Sequence, residues 1–107
     1  MIPYTDFIRL TLGALDCADF DAFVAEEGGS VPLDDLDDLM LVMRRIWDYS
    51  RSRDIVSIRK QTGLSQSNFA REFGIPLRTL QGWELGERTA PQYLTDLIAY
   101  VALTQEI

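Results

Sequence analysis

The chain has 107 residues, 47% hydrophobic and 25% charged, the proportions of one folded domain or a small domain with an arm, and not those of a disordered or collagen-like chain. The formal net charge of −7 is unevenly carried: residues 1–40 hold ten acids and one base, net −9, while residues 41–107 hold nine bases and seven acids, net +2. Histidine is absent and Lys60 is the only lysine, which removes histidine-dependent nucleophile systems and zinc sites and leaves neither an enzyme nor a metal or cofactor expected.

Phe7, Ile8, Leu10, Leu12 and Leu15 predict a first helix with a wide apolar face. Cys17, the only cysteine, excludes an intrachain disulfide. Phe20, Phe23 and Val24 then fall at i, i+3 and i+4, predicting a short second helix capped by Asp19 and stopped at Gly28. Gly28-Gly29-Ser30 and Val31-Pro32 form the clearest breaker cluster. From Leu33, apolar residues at 33, 36, 39, 40, 43, 46 and 47 predict an amphipathic helix. Asp34, Asp35, Asp37 and Asp38 lie at its start and Arg44 and Arg45 toward its end, both favoured by the helix dipole. The aspartate run therefore has a structural explanation, and its spacing is not that of a calcium loop.

The pattern fails across Tyr49–Asp54, where a break is expected with Ser52 or Asp54 capping the next element; a continuous helix is the alternative. Four further helices are predicted at about 54–62, 66–73, 77–84 and 91–102, punctuated by Gly63, Gly74 and Gly86. No stretch alternates with period two and none repeats. No apolar run approaches the ~20 residues of a membrane span, and the N-terminus lacks the pattern of a secretory signal, so a cytoplasmic protein with no membrane contact is expected.

Within 51–88 seven bases face four acids, net +3, so a basic face can coexist with an acidic arm. The stretch Ser65-Gln66-Ser67-Asn68-Phe69-Ala70-Arg71-Glu72-Phe73-Gly74-Ile75-Pro76 continues into Leu77-Arg78-Thr79-Leu80-Gln81-Gly82-Trp83-Glu84-Leu85-Gly86. Ser65 suits an N-cap, Ala70 a close helix crossing and Gly74 the turn. Leu64, Phe69, Phe73, Ile75, Leu80 and Trp83 supply the apolar contacts between the two helices. In these features residues 54–102 resemble the Cro/cI-type (XRE-like) helix-turn-helix family. The resemblance implies an all-α, lambda-repressor-like core of five helices, here with a helical N-terminal extension. Residues 1–50 would form the acidic extension and 51–107 the DNA-binding domain.

The resemblance further implies that the second helix of the motif enters the major groove. Leu77, Arg78, Thr79 and Gln81 are then the base-contact candidates, with Gly82 beside them on the exposed side. Arg78 leads because a guanidinium fork matches guanine O6 and N7. Gln66, Lys60, Arg71 and Arg88 are the phosphate-contact candidates, and Arg59 and Glu84 form a structural ion pair between the first helix and the end of the recognition helix. The implied function is a sequence-specific DNA-binding regulator, a dimeric repressor of its own gene. The partners are double-stranded DNA and a second copy, for which the last helix, with Leu94, Leu97, Ile98 and Val101 flanked by Tyr93 and Tyr100, offers a surface. The alternative is a protein-interaction module, an antitoxin or a phage-type inhibitor, engaging a protein through its acidic arm.

Overall fold

The computed structural model describes residues 2–105 and holds, among them, seven α-helices and no strand. α1 spans Tyr4–Leu15 and α2 Phe20–Glu27, with a 3-10 turn at Gly28–Ser30. α3 spans Leu36–Ser50, α4 Ile55–Thr62, α5 Gln66–Phe73, α6 Leu77–Leu85 and α7 Gln92–Thr104. Four of the starts are fixed by side-chain caps, which satisfy orphan N–H groups of the first turn. Asp19, Asp35, Asp54 and Ser65 accept from the backbone N–H of Ala22, Asp38, Ser57 and Asn68 respectively.

Two boundaries differ from the sequence expectation. α3 begins at Leu36 and not at Leu33, because Asp35 takes the cap position; Leu33 packs from the preceding loop and Leu36 is 68% exposed. α3 also runs through Tyr49 and Ser50, which are buried, and the break is confined to Arg51–Asp54. Arg44 and Arg45 consequently lie mid-helix and do not serve its C-terminal dipole: Arg44 pairs with Asp48 at 3.4 Å, and Arg45 donates to the Leu103 carbonyl at 3.0 Å. In the break, Arg53 adopts φ 50°, a left-handed conformation costing about 1 kcal/mol in a residue with a side chain. Its backbone N–H donates to the Tyr49 carbonyl at 2.7 Å and its guanidinium to Asp96 at 2.7 Å, which hold it there.

Between residues 54 and 102 the chain forms four helices, α4 to α7, and not five. α3 packs against α1, α4 and α7, and α1 also reaches α7. One apolar core runs through the whole fold: Phe7, Leu10, Phe23, Met43, Ile46 and Tyr49 join Ile58, Phe69, Leu80, Ile98 and Leu103. Tyr100 of α7 stands edge-on to Phe7 and donates its hydroxyl to the Ile2 carbonyl. The apolar face of α1 is narrower than expected, since Leu12 and Leu15 remain exposed. No helix among the described residues is long and apolar enough to cross a membrane.

Candidate nucleic-acid interface

The site is built on α5 and α6, which pack against each other across a three-residue turn. Ser65 starts α5, and Ala70 and Phe69 are buried where the helices cross. Gly74, at φ 66°, ends α5 in the left-handed conformation that a residue with a Cβ adopts only at a cost, and the next N–H, of Ile75, closes back on the Ala70 carbonyl at 2.9 Å. The chain then leaves through Pro76 into α6. Leu80 is fully buried, Trp83 packs against the core, and the Phe69 and Phe73 rings lie 4.7 Å apart.

α6 is anchored a second time by charge. Arg59 of α4 grips both carboxylate oxygens of Glu84, with Nε and Nη2 each at 2.8 Å, and its third nitrogen donates to the Leu64 carbonyl at 3.1 Å. The Arg59 hydrogen bonds hold the Glu84 carboxyl below its usual range, and Glu84 in turn raises the Arg59 value. Gln66 joins this pair: its amide nitrogen donates to Glu84 Oε1 at 3.2 Å. The structure thus engages in an internal network the glutamine that the sequence placed on a phosphate. The N–H groups of Gln66 and Ser67, at the start of α5, have no acceptor within the helix.

With Leu80, Trp83 and Glu84 turned inward, the 100° step of a helix sets Leu77, Gln81, Leu85, Arg78 and Gly82 on the outward arc. Leu77, Arg78 and Gln81 are exposed, and Thr79 is half-buried at the edge of the arc. Gly82 corrects the expectation that it is exposed beside them: it lies on the outward arc but is buried, because the Arg88 side chain lies across it. An interior helix glycine on an otherwise solvent-facing arc was the only sequence signal for this arrangement.

Among the other candidates, Arg71 and Arg88 are exposed and form no ion pair among the described residues. Lys60 is exposed in a shallow cleft with Ser52, Asp54 and Gln61. Part of the basic charge of 51–88 is engaged within the fold. Arg53 and Arg59 are bound to buried carboxylates, and Arg51 stacks 3.7 Å from the Trp47 ring centroid and donates to the Ala14 carbonyl at 2.6 Å. Lys60, Arg71, Arg78 and Arg88 are the cations left for a ligand.

Residues 55–99 match the family model described as Helix-turn-helix. This segment is a helix-turn-helix domain of the Cro/cI type. The chain matches no curated protein and no solved structure. Within the helix-turn-helix domain the motif proper is α5–turn–α6, with α4 and α7 supporting it, and a DNA-binding regulator is the function such a domain serves.

A second cluster, missed in the sequence, ties the helix-turn-helix domain to the extension. Asp96 of α7 is buried and accepts from the Tyr49 hydroxyl at 2.6 Å, from Arg53 Nη2 at 2.7 Å and from the Gln92 amide at 3.3 Å. Burial, followed by the bond to Asp96, pushes the Tyr49 phenol far above its ordinary value, so it stays protonated and donating. The available signal was an acid set in the apolar pattern of α7, and the pattern alone does not name its partners.

Proposed function

We propose that the protein is a sequence-specific DNA-binding regulator, acting in the cytoplasm as a dimeric repressor of its own gene. The observation that carries this reading is the outward arc of α6: Arg78, Gln81 and Leu77 stand free on a helix locked from behind by Leu80 and by the Arg59–Glu84 pair. In this reading α6 enters the major groove, Arg78 pairs with a guanine edge, and Thr79, Leu77 and Gln81 contact neighbouring bases. Lys60, Arg71 and the N-terminal turn of α5 at Gln66 hold phosphates. Four free cations among residues 51–88 are few for tight binding, which favours two chains on paired half-sites. Tyr93, Leu97 and Val101 succeed one another at i, i+4 and i+8 on the outer side of α7, each exposed, and are the surface proposed for the second copy.

The test is a fluorescence-anisotropy titration on DNA from upstream of the gene, at two salt concentrations, with random DNA as control. Tight binding with two chains per site is expected, weakening steeply with salt. Arg78→Ala should cost about 1–3 kcal/mol and relax the preference at one base position, whereas Lys60→Ala should weaken all sequences alike and lower the salt slope by about one. Absence of binding to either DNA at low salt sinks the reading.

A second reading, a protein-interaction module of antitoxin or phage-inhibitor kind, is favoured by one observation. Leu36, Met40 and Leu41 are exposed on α3 beside Asp34, Asp35, Asp37 and Asp38, and none of these acids forms an ion pair among the described residues. An acidic surface with apolar anchors suits a basic protein partner, and the same titration, negative on DNA, would point to it.

A further inference from the structure

The family resemblance makes Arg88 one more phosphate contact, and the geometry around Gly82 argues for a different role. α6 ends at Leu85, and the carbonyl of Gly82 accepts from the N–H groups of both Glu87 at 3.0 Å and Arg88 at 3.2 Å. These bonds fix the backbone of Arg88 one turn beyond Gly82. The side chain then returns over the helix: a Cβ built on Gly82 would lie 3.9 Å from Arg88 Cβ, 3.6 Å from Cγ and 3.5 Å from Cδ. The approach tightens along the chain, so the alkyl stem crosses position 82 and does not turn back into the loop. Gly82 follows Arg78 by four residues, about 6 Å along the axis and on the same side of the helix. The Arg88 guanidinium, which forms no ion pair among the described residues, is therefore carried onto the outward arc of α6 with Arg78.

Resting on the reading that α6 faces DNA, we propose that Arg88 reads a base pair, and that Gly82 is the positioning residue that makes room for it. Contacts to the sugar–phosphate strands are made from the margins of a recognition helix, and base edges are met from its outward arc. An arginine whose stem is already laid against a helix has lost much of its rotamer freedom before binding, so its planar fork is presented in one orientation, which discrimination between bases requires. Gly82 fits the role because it adds no side chain where the stem must pass. The contacts at 3.5–3.9 Å leave space for a methyl group but not for a longer chain.

The experiment is selection of binding sites by the full-length protein from a randomised double-stranded DNA pool, followed by affinity measurement on the selected site and its single-base variants. The variants are Arg88→Ala, Arg88→Lys, Gly82→Ala and Gly82→Leu, each checked by its thermal melt. The wild type should select a defined site. Arg88→Ala should lose the preference at one base position, worth about 5- to 150-fold, and keep it elsewhere. With bases stacked 3.4 Å apart, that position should fall within about two steps of the one lost in Arg78→Ala. Arg88→Lys, which keeps the charge and loses the fork, should lose the same position. Gly82→Ala should select the wild-type site and Gly82→Leu the site of Arg88→Ala. If Arg88→Ala weakens every sequence by one factor, or Arg88→Lys retains the full preference, Arg88 is a phosphate contact and the proposal is overturned. If Gly82→Leu melts early, the two Arg88 variants still decide. A wild type that binds the pool but leaves no position to lose when Arg88 is changed refutes the Arg88 role alone; a wild type that binds no DNA refutes the DNA reading and this role with it.

Discussion

The Arg59–Glu84 pair is bidentate, only 8% of the Glu84 side chain is exposed, and a third donor, Gln66, completes the acceptor side. Such a carboxylate is stabilised in the folded state mainly by the arginine hydrogen bonds, which outweigh desolvation and lower its pKa. The sign follows: in the window between the depressed folded value and the ordinary value the unfolded chain binds the extra proton, so stability rises with pH there. The contribution is complete above the ordinary glutamate value of 4.5 and is lost as pH falls through the folded one. Glu84→Gln should therefore lower stability by about 2 kcal/mol at neutral pH, and the gap from wild type, read by denaturant titration, should narrow as pH falls below the ordinary glutamate value of 4.5. A gap independent of pH would mean that the carboxylate charge is not what anchors α6. No spacing rule names two residues 25 apart in sequence as partners; here only the family resemblance joined them. Nothing in the sequence added Gln66 to the pair, because a glutamine at a helix start is equally suited to solvent, phosphate or a neighbouring carboxylate.

At the scale of elements, the caps and stops were largely legible, since each depends on two or three adjacent residues. Asp19, Asp54 and Ser65 act where local chemistry put them, and Gly74 turns the chain between α5 and α6. Less legible was the joint between α3 and α4, because its determinants come from α7. Arg53 holds a left-handed backbone while its guanidinium meets Asp96, and Gln92 donates to the Arg53 carbonyl at 3.1 Å. Asp96 is thus the hub that sets the angle at which the extension meets the helix-turn-helix domain. Asp96→Ala removes the acceptor of Tyr49 and Arg53 together. It should cost about 2–4 kcal/mol, somewhat below a fully buried pair because Arg53 retains partial solvent access. The conservative Asp96→Asn keeps one carbonyl acceptor and should recover part of the loss. Thermal melts of the two variants measure this; equal and negligible losses would show that apolar packing alone fixes the joint.

At the scale of the whole molecule, the sequence divides by charge after residue 40 and by motif near residue 54, yet the core divides at neither. Charge patterning reports on solvent-facing residues, and the motif reports on α4 to α6, so neither is sensitive to what covers α7. In the structure α7 packs against α4 and also against α1 and α3, with Ile98, Ala99 and Leu103 buried, and Tyr100 reaches Phe7, Tyr4 and the Ile2 carbonyl. Arg51 adds a strap back to the end of α1 through the Ala14 carbonyl. A fragment of residues 51–107 would carry the complete family match and lack this cover. Each α7 side chain left uncovered forfeits up to about 1.5–3 kcal/mol, and Asp96 would lose the Tyr49 hydroxyl besides. Set against a typical net stability of ~5–15 kcal/mol, those losses leave little for a chain that also keeps the ordering cost of four short helices. The full chain should therefore melt in one cooperative transition by circular dichroism, and the fragment should show a shallow slope without a transition and no DNA binding at a concentration that saturates the full chain. A fragment that melts cooperatively within a few degrees of the full chain would make the extension an appendage, whose acidic face could then evolve for a partner independently of the DNA-binding half. Loss of the transition would instead make the extension the missing wall of the helix-turn-helix core, so that anything pulling α1 or α3 away also disorders α6.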